Sequence, residues 1–188
     1  MDVIALLIAD HNRVRGLIAR YEEADGTPAK RQLASKIINE LQIHMAAEEK
    51  VLYQSVKDRS EEIGEDVDEG YEEHHVAKML IGELESIEPG SDTWLAKMKV
   101  LIESVEHHVD EEEKELFPSV RSKSNVGWRN DLGVQLGDIE VDLGATPLEA
   151  KIRLTNAALH ERASAESIPG RSSMDHDTLA ATVSGEAP

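Results

Sequence analysis

His44 is followed four residues later by Glu48, and 64 residues further along His108 is followed four residues later by Glu112. At about 100° per residue, the members of each pair lie about 40° apart, one turn apart on a single helix face. The stripe carrying each pair is otherwise apolar: Ala34, Ile37, Leu41 and then Val51 or Leu52 around the first, Met98, Leu101 and Val105 ahead of the second. An imidazole and a carboxylate facing a protein interior lose hydration that some partner must replace, and a metal ion is one such partner. Any fold for this chain has to bring two such pairs inside.

The duplication extends beyond the pairs. Asp10-His11 through Leu17-Ile18 aligns without gaps on Glu73-His74 through Leu80-Ile81, an offset of 63 residues, and Leu41 to Val56 aligns on Val105 to Val120. Each half thus carries one lone His and one His-x-x-x-Glu. The periodicity predicts a first helix from Asp2, its N-cap, to Glu23, with Ile4, Leu7, Ile8, Val14 and Ile18 around His11. Asp25-Gly26-Thr27-Pro28 supplies a Gly stop, a Thr cap and a Pro at the first position of a second helix. Ile63, Val67, Tyr71, His74, Ala77, Ile81 and Leu84 mark a third helix, ending before Pro89-Gly90. Ser91 or Asp92 caps a fourth, which runs from about Thr93 to Leu116. Short connections make antiparallel neighbours, so residues 1–121 are expected to form an all-α, up-down-up-down four-helix bundle.

Beyond Ser122 the pattern weakens. Trp128, Leu132, Leu136, Ile139 and Leu143 suggest a short helix, and Thr146-Pro147-Leu148-Glu149 opens another to about Ala163, giving a helical extension over 122–164. Residues 165–188 are rich in Ser, Gly, Thr and Ala without periodicity and read as a flexible tail.

Composition narrows the chemistry. With 20 Lys and Arg against 38 Asp and Glu, the net charge of −18 repels phosphate backbones and anionic lipid surfaces, so neither nucleic acid nor membrane is an expected partner. The absence of cysteine removes disulfides, thiolate ligands and cysteine nucleophiles and leaves nitrogen and oxygen donors. The apolar run at the N-terminus lacks a basic flank and meets Asp10 and His11 too soon for a signal peptide, and no run approaches the roughly 20 apolar residues of a membrane span. A cytoplasmic location is expected.

Taken alone, a His with a Glu four residues on is usually a solvated surface pair, and a lone His is more often a hydrogen-bonded core residue. Here four His and two Glu fall on the inward stripes of four helices at repeat-equivalent positions, and metal binding becomes the better account. Six such donors exceed what one tetrahedral zinc site uses, so two ions are expected, with iron first and manganese or zinc after it. His75 competes with His74, and His107 with His108; the repeat and the stripes through Ile81 and Val105 favour His74 and His108. His160 and His176 read as solvated. Tyr71, one turn before His74, could reach the site, although packing is the commoner role of such a residue. Tyr53 aligns with Phe117, which suggests packing for both.

His11, His44-Met45-Ala46-Ala47-Glu48-Glu49, His74 and His108-Val109-Asp110-Glu111-Glu112-Glu113 with Leu116-Phe117-Pro118 resemble the hemerythrin-like, or HHE cation-binding, family over about residues 1 to 121. The resemblance implies an oxo- or hydroxo-bridged non-haem diiron centre. In it His11 and His44 lie on one side, His74 and His108 on the other, and Glu48 and Glu112 bridge. Oxygen-carrying members have another His one turn after the third-helix ligand and an Asp in place of the second Glu; here those positions are Lys78 and Glu112. One imidazole fewer leaves a more open coordination sphere, which favours turnover of a small oxidant (peroxide, dioxygen or nitric oxide) over storage. Catalase-like peroxide disproportionation in defence against oxidative stress is the first expectation. Reversible oxygen binding, or oxygen or iron sensing without turnover, is the alternative.

Overall fold

A computed structural model of the chain describes residues 1–145. Four long helical rods run α1 (Val3–Glu23), α2 (Thr27–Glu48), α3 (Glu61–Leu84) and α4 (Asp92–Glu111), followed by a shorter helix, α5 (Val126–Asp142). The rods connect through short turns and pack as antiparallel pairs, α1 with α2 and α3 with α4, in the expected four-helix bundle. Among the described residues no helix is long and apolar enough to cross a membrane. The second helix expected in the extension and the tail lie outside the described residues.

The helix starts follow local chemistry. Asp2 Oδ1 accepts from the Ile4 amide at 3.0 Å, Ser60 Oγ from Ile63 at 3.3 Å, Ser91 Oγ from Trp94 at 3.2 Å and Asn125 Oδ1 from Trp128 at 2.9 Å. One start differs from the expected arrangement. Gly26, at φ 81°, is itself the residue preceding α2, and Thr27 is already helical with no side-chain cap. The reason lies across the fold: Gly90, at φ 91°, comes so close to Thr27 that a Cβ there would overlap the Thr side chain. The Thr27 side chain therefore packs under the α3–α4 turn.

The α2 and α4 rods do not stop where their α-helical hydrogen bonding ends. Each passes into a π-helical stretch, Glu49–Tyr53 in the second rod and Glu112–Leu116 in the fourth, and then resumes as α-helix over Gln54–Val56 and Phe117–Ser122. Periodicity alone gives straight α-helices here. The π segments sit at the inward glutamates of both halves, and such widened turns are common at functional sites.

Apolar side chains fill the bundle on both sides of that level. Val14, Ile18, Ile37, Leu41, Ile81, Met98, Leu101 and Val105 pack together in one cluster, while Ile4, Leu7, Leu52, Val56, Ile63, Val67, Leu116 and Val120 are buried further along the rods. His11 lies between Leu7 and Val14 on α1, and His74 between Val67 and Ala77 on α3, so a polar layer divides the core. Helix α5 packs on α1, α2 and the first π segment. It is held by buried Arg129, whose Nε donates to Asp2 Oδ2 at 2.6 Å, and by the Arg59 guanidinium lying 3.7 Å above the Trp128 ring.

Candidate metal centre

The polar layer is built from six side chains, one from each lone-His helix and two from each of the other rods. His11, His44, Glu48, His74, His108 and Glu112 are all buried, and Glu48 has no exposed surface at all. All four imidazoles turn Nε2 inward. His11 Nε2 stands 3.3 Å and His108 Nε2 3.5 Å from Glu112 Oε2, while His44 Nε2 stands 3.3 Å and His74 Nε2 3.7 Å from Glu48 Oε2. The rings form two couples, His11 with His44 at 4.9 Å between centroids and His74 with His108 at 4.6 Å, whereas His44 and His74 are 6.3 Å apart. Each carboxylate therefore touches one imidazole from each couple.

His74 Nε2 and His108 Nε2 are only 3.0 Å apart, and both glutamate oxygens of Glu48, Glu112 Oε2, His11 Nε2 and both nitrogens of His44 make no hydrogen bond. Buried polar atoms left in this state cost about 1–3 kcal/mol each, and a protein core rarely keeps so many of them together without a ligand to satisfy them. Nitrogen and oxygen atoms converging in so small a buried volume suit a cation. Two overlapping groups can each hold one: His44, Glu48, His74 and His108, and His11, His44 and Glu112.

Burial and close packing shift the proton affinities of these groups. Burial, reinforced by the facing Glu112, pushes Glu48 well above the ordinary carboxylate range, while Glu112, despite burial, is held low by His108 and His11. Burial among three other imidazoles drives His44 well down. Burial also opposes charge on His11 and His108, but their glutamate neighbours outweigh it and raise both. The site thus forces its two carboxylates, and its four imidazoles, apart in proton affinity.

The rings that stack on the imidazoles are asymmetric. Phe117 stacks on His11 at 5.7 Å and Tyr53 stacks on His74 at 5.4 Å, as repeat-equivalent packing residues should. The Tyr53 hydroxyl, however, also donates to Glu112 Oε1 at 2.7 Å, and Gly70 makes room for it, since a Cβ at that position would overlap the phenol. Tyr71 does not reach the layer: its hydroxyl donates to the Glu49 carbonyl oxygen at 3.2 Å. The tyrosine in the site is thus Tyr53, not Tyr71. At α-helical spacing Tyr53 lies about 140° around the helix from Glu48, but a π turn closes on the fifth residue and brings it to the same face.

The rival histidines lie outside. His75 is exposed, and His107 is 67 % exposed, its Nε2 3.2 Å from Glu111 in the surface pair that i,i+4 spacing usually means. Three further carboxylates reach the inner rings from behind. Glu113 accepts from His11 Nδ1 at 2.9 Å, Glu49 from His74 Nδ1 at 2.9 Å and Glu73 from His108 Nδ1 at 2.7 Å. Sequence reasoning missed them, although Glu49 and Glu113 each directly follow an inward glutamate in the repeat. Lys78 is 44 % exposed and donates to Glu49 at 2.5 Å, so it holds a carboxylate instead of joining the inner layer.

A buried His/Glu layer across the middle of a four-helix bundle defines a metal-binding helical protein. The family model for the hemerythrin HHE cation-binding domain matches residues 2–120, and the chain belongs to that family. It is also similar to a protein of Nostoc sp. (strain PCC 7120 / SAG 25.82 / UTEX 2576) described as a DNA nickase, with 27% identity over 149 residues, 77% of this chain and 42% of that protein. The chain therefore spans less than half the length of that relative. No solved structure matches it.

Proposed function

We propose that this chain holds two iron ions, one between His11 and His44 and one between His74 and His108, with Glu48 and Glu112 shared, and that it acts on a small oxidant. Manganese or zinc ranks after iron for this donor set. The observation that supports the reading is the placement of each carboxylate against one imidazole of each couple, where it could be shared between two cations.

Peroxide disproportionation is the leading activity. Bound iron would supply the electron relay by which one peroxide is oxidised to dioxygen, releasing two protons and two electrons, and a second is reduced with them to two waters. The chain's own residues set the conditions. A cavity of about 20 Å³ borders the four histidines, walled by Val14, Leu41, Ala77 and Val105, which suits a molecule of a few atoms and excludes larger ones. The Tyr53 hydroxyl holds a proton against Glu112 Oε1, and Lys78 occupies the place at which a further inward imidazole would close the coordination sphere.

The nicking activity named for the Nostoc relative is not carried over. That chain is more than twice the length matched here, and a net charge of −18 opposes contact with a phosphate backbone.

Metal analysis of protein grown with iron, together with oxygen evolution from peroxide, tests the proposal. Two ions per chain and oxygen release that disappears in His108→Ala are expected. Protein free of metal would overturn the whole reading. A fully loaded sample that released no oxygen, but changed its absorbance reversibly as dioxygen was admitted and removed, would replace turnover with reversible binding.

A further inference from the structure

The inner imidazoles differ in what stands behind them. On α1, His11 and Arg15 lie four residues apart, and Glu113 Oε1 accepts from both, at 2.9 Å from His11 Nδ1 and 2.9 Å from Arg15 Nη1. On α3, His74 and Lys78 lie four apart, and Glu49 Oε1 likewise accepts from both, at 2.9 and 2.5 Å. These are two copies of one device: a carboxylate just after the inward glutamate of one rod fixes a ring on another, and a cation one turn beyond that ring fixes the carboxylate. Glu73, which precedes His74 on α3, holds the His108 ring, and among the described residues no cation pairs with it.

His44 has no such support, since its Nδ1 makes no hydrogen bond. The repeat-equivalent position differs. Asp10 occupies the position of Glu73 but is one methylene shorter, and it is engaged by Arg13, where the second half has Val76. Both rings of the His74–His108 couple are therefore anchored to a carboxylate, whereas only one ring of the His11–His44 couple is. A carboxylate on the outer nitrogen fixes the tautomer, orients the ring and strengthens the inner nitrogen as a donor; its loss typically costs about 10- to 100-fold in metal affinity.

We propose that the two halves of the centre are unequal, with the His74–His108 half binding its cation first and more tightly, and that Glu49, Glu73 and Glu113 act as positioning residues which set that order. This rests on the two-ion reading above.

Anaerobic titration of the metal-free full chain with cobalt(II), followed by calorimetry and by the visible absorption of the bound ion, tests it. Two steps separated by about tenfold or more are expected. Glu49→Ala and Glu73→Ala should each weaken the first step about 10- to 100-fold, and Glu113→Ala should weaken the second. Glu49→Gln keeps an acceptor for His74 Nδ1 and should shift the first step less than Glu49→Ala. It also serves as the readout should the alanine variant fail to fold. Two ions bound with equal affinity, or a first step lowered more by Glu113→Ala than by Glu49→Ala, would overturn the order while leaving two ions in place. A single ion per chain would remove the two-ion reading and the proposal together.

Discussion

The Tyr53 hydroxyl on the second rod donates a 2.7 Å hydrogen bond to Glu112 Oε1 on the fourth, and this bond joins the two halves of the duplicated sequence inside the metal layer. Its counterpart, Phe117 over His11, has the ring without the hydroxyl. Replacing Tyr53 by Phe should keep the stacking on His74 but leave a buried carboxylate oxygen without its donor. A loss of about 1–3 kcal/mol is expected, read as a lower melting temperature of the metal-free protein. An unchanged melting temperature would mean that the bond contributes nothing.

Gly70 gives a sharper steric contrast. Alanine is favoured over glycine inside a helix by about 0.5–1 kcal/mol. Gly70→Ala should nevertheless destabilise by about 1–3 kcal/mol, because the new methyl meets the Tyr53 phenol. Gly16→Ala, where an added Cβ meets nothing within 4 Å, should stabilise by about the propensity difference alone. Denaturant melts of the two variants should move in opposite directions.

Metal removal should be visible as stability. A ligand that binds only the folded state adds about 4 kcal/mol at a thousandfold excess over its dissociation constant. For a domain of this size that is roughly 8–16 °C in melting temperature. Chelator-treated protein should melt lower by an amount of this order and recover when iron is returned. Coincident melts would argue against a structural cation.

The pH dependence of the metal-free protein follows from the signs of the shifts. Glu112, Glu49 and Glu113 are held low, so their contributions are present above about pH 4.5 and are lost on acidification through their folded values. His44 and His74, held low by burial, stop changing above pH 6.5. Glu48, His11 and His108 are raised, so the stability they give below their ordinary values of 4.5 and 6.5 is lost as pH climbs through the folded ones. Above pH 6.5 the raised groups dominate, and the melting temperature of chelated protein should fall as pH rises further. Protein with cations in place of those protons should not show the fall.

Much of the bundle is legible in the order of residues alone. The stripes through Ile37 and Leu41, Val67 and Ala77, and Leu101 and Val105 mark it because a buried helix face repeats every three or four residues, a local property. The repeat separates His74 from His75 and His108 from His107, because a one-residue step turns a side chain by about 100° and moves it from core to solvent. The outer residues are harder to find. Glu49, Glu73 and Glu113 sit at half-buried positions beside the stripes, and what each touches lies 25 to 102 residues away along the chain.

Periodicity, short turns and internal duplication are enough to define the helices, their antiparallel order and the six inward donors. Packing of the rods alone selects which tyrosine enters the layer and which imidazoles are anchored. Tyr53 replaces Tyr71 because a π turn re-aims the second rod, and His44 Nδ1 has no carboxylate against it, the repeat-equivalent Asp10 being one methylene shorter than Glu73. The first outcome depends on backbone winding, and the second on whether a carboxylate of one rod reaches a ring on another, a contact made only when the rods come together.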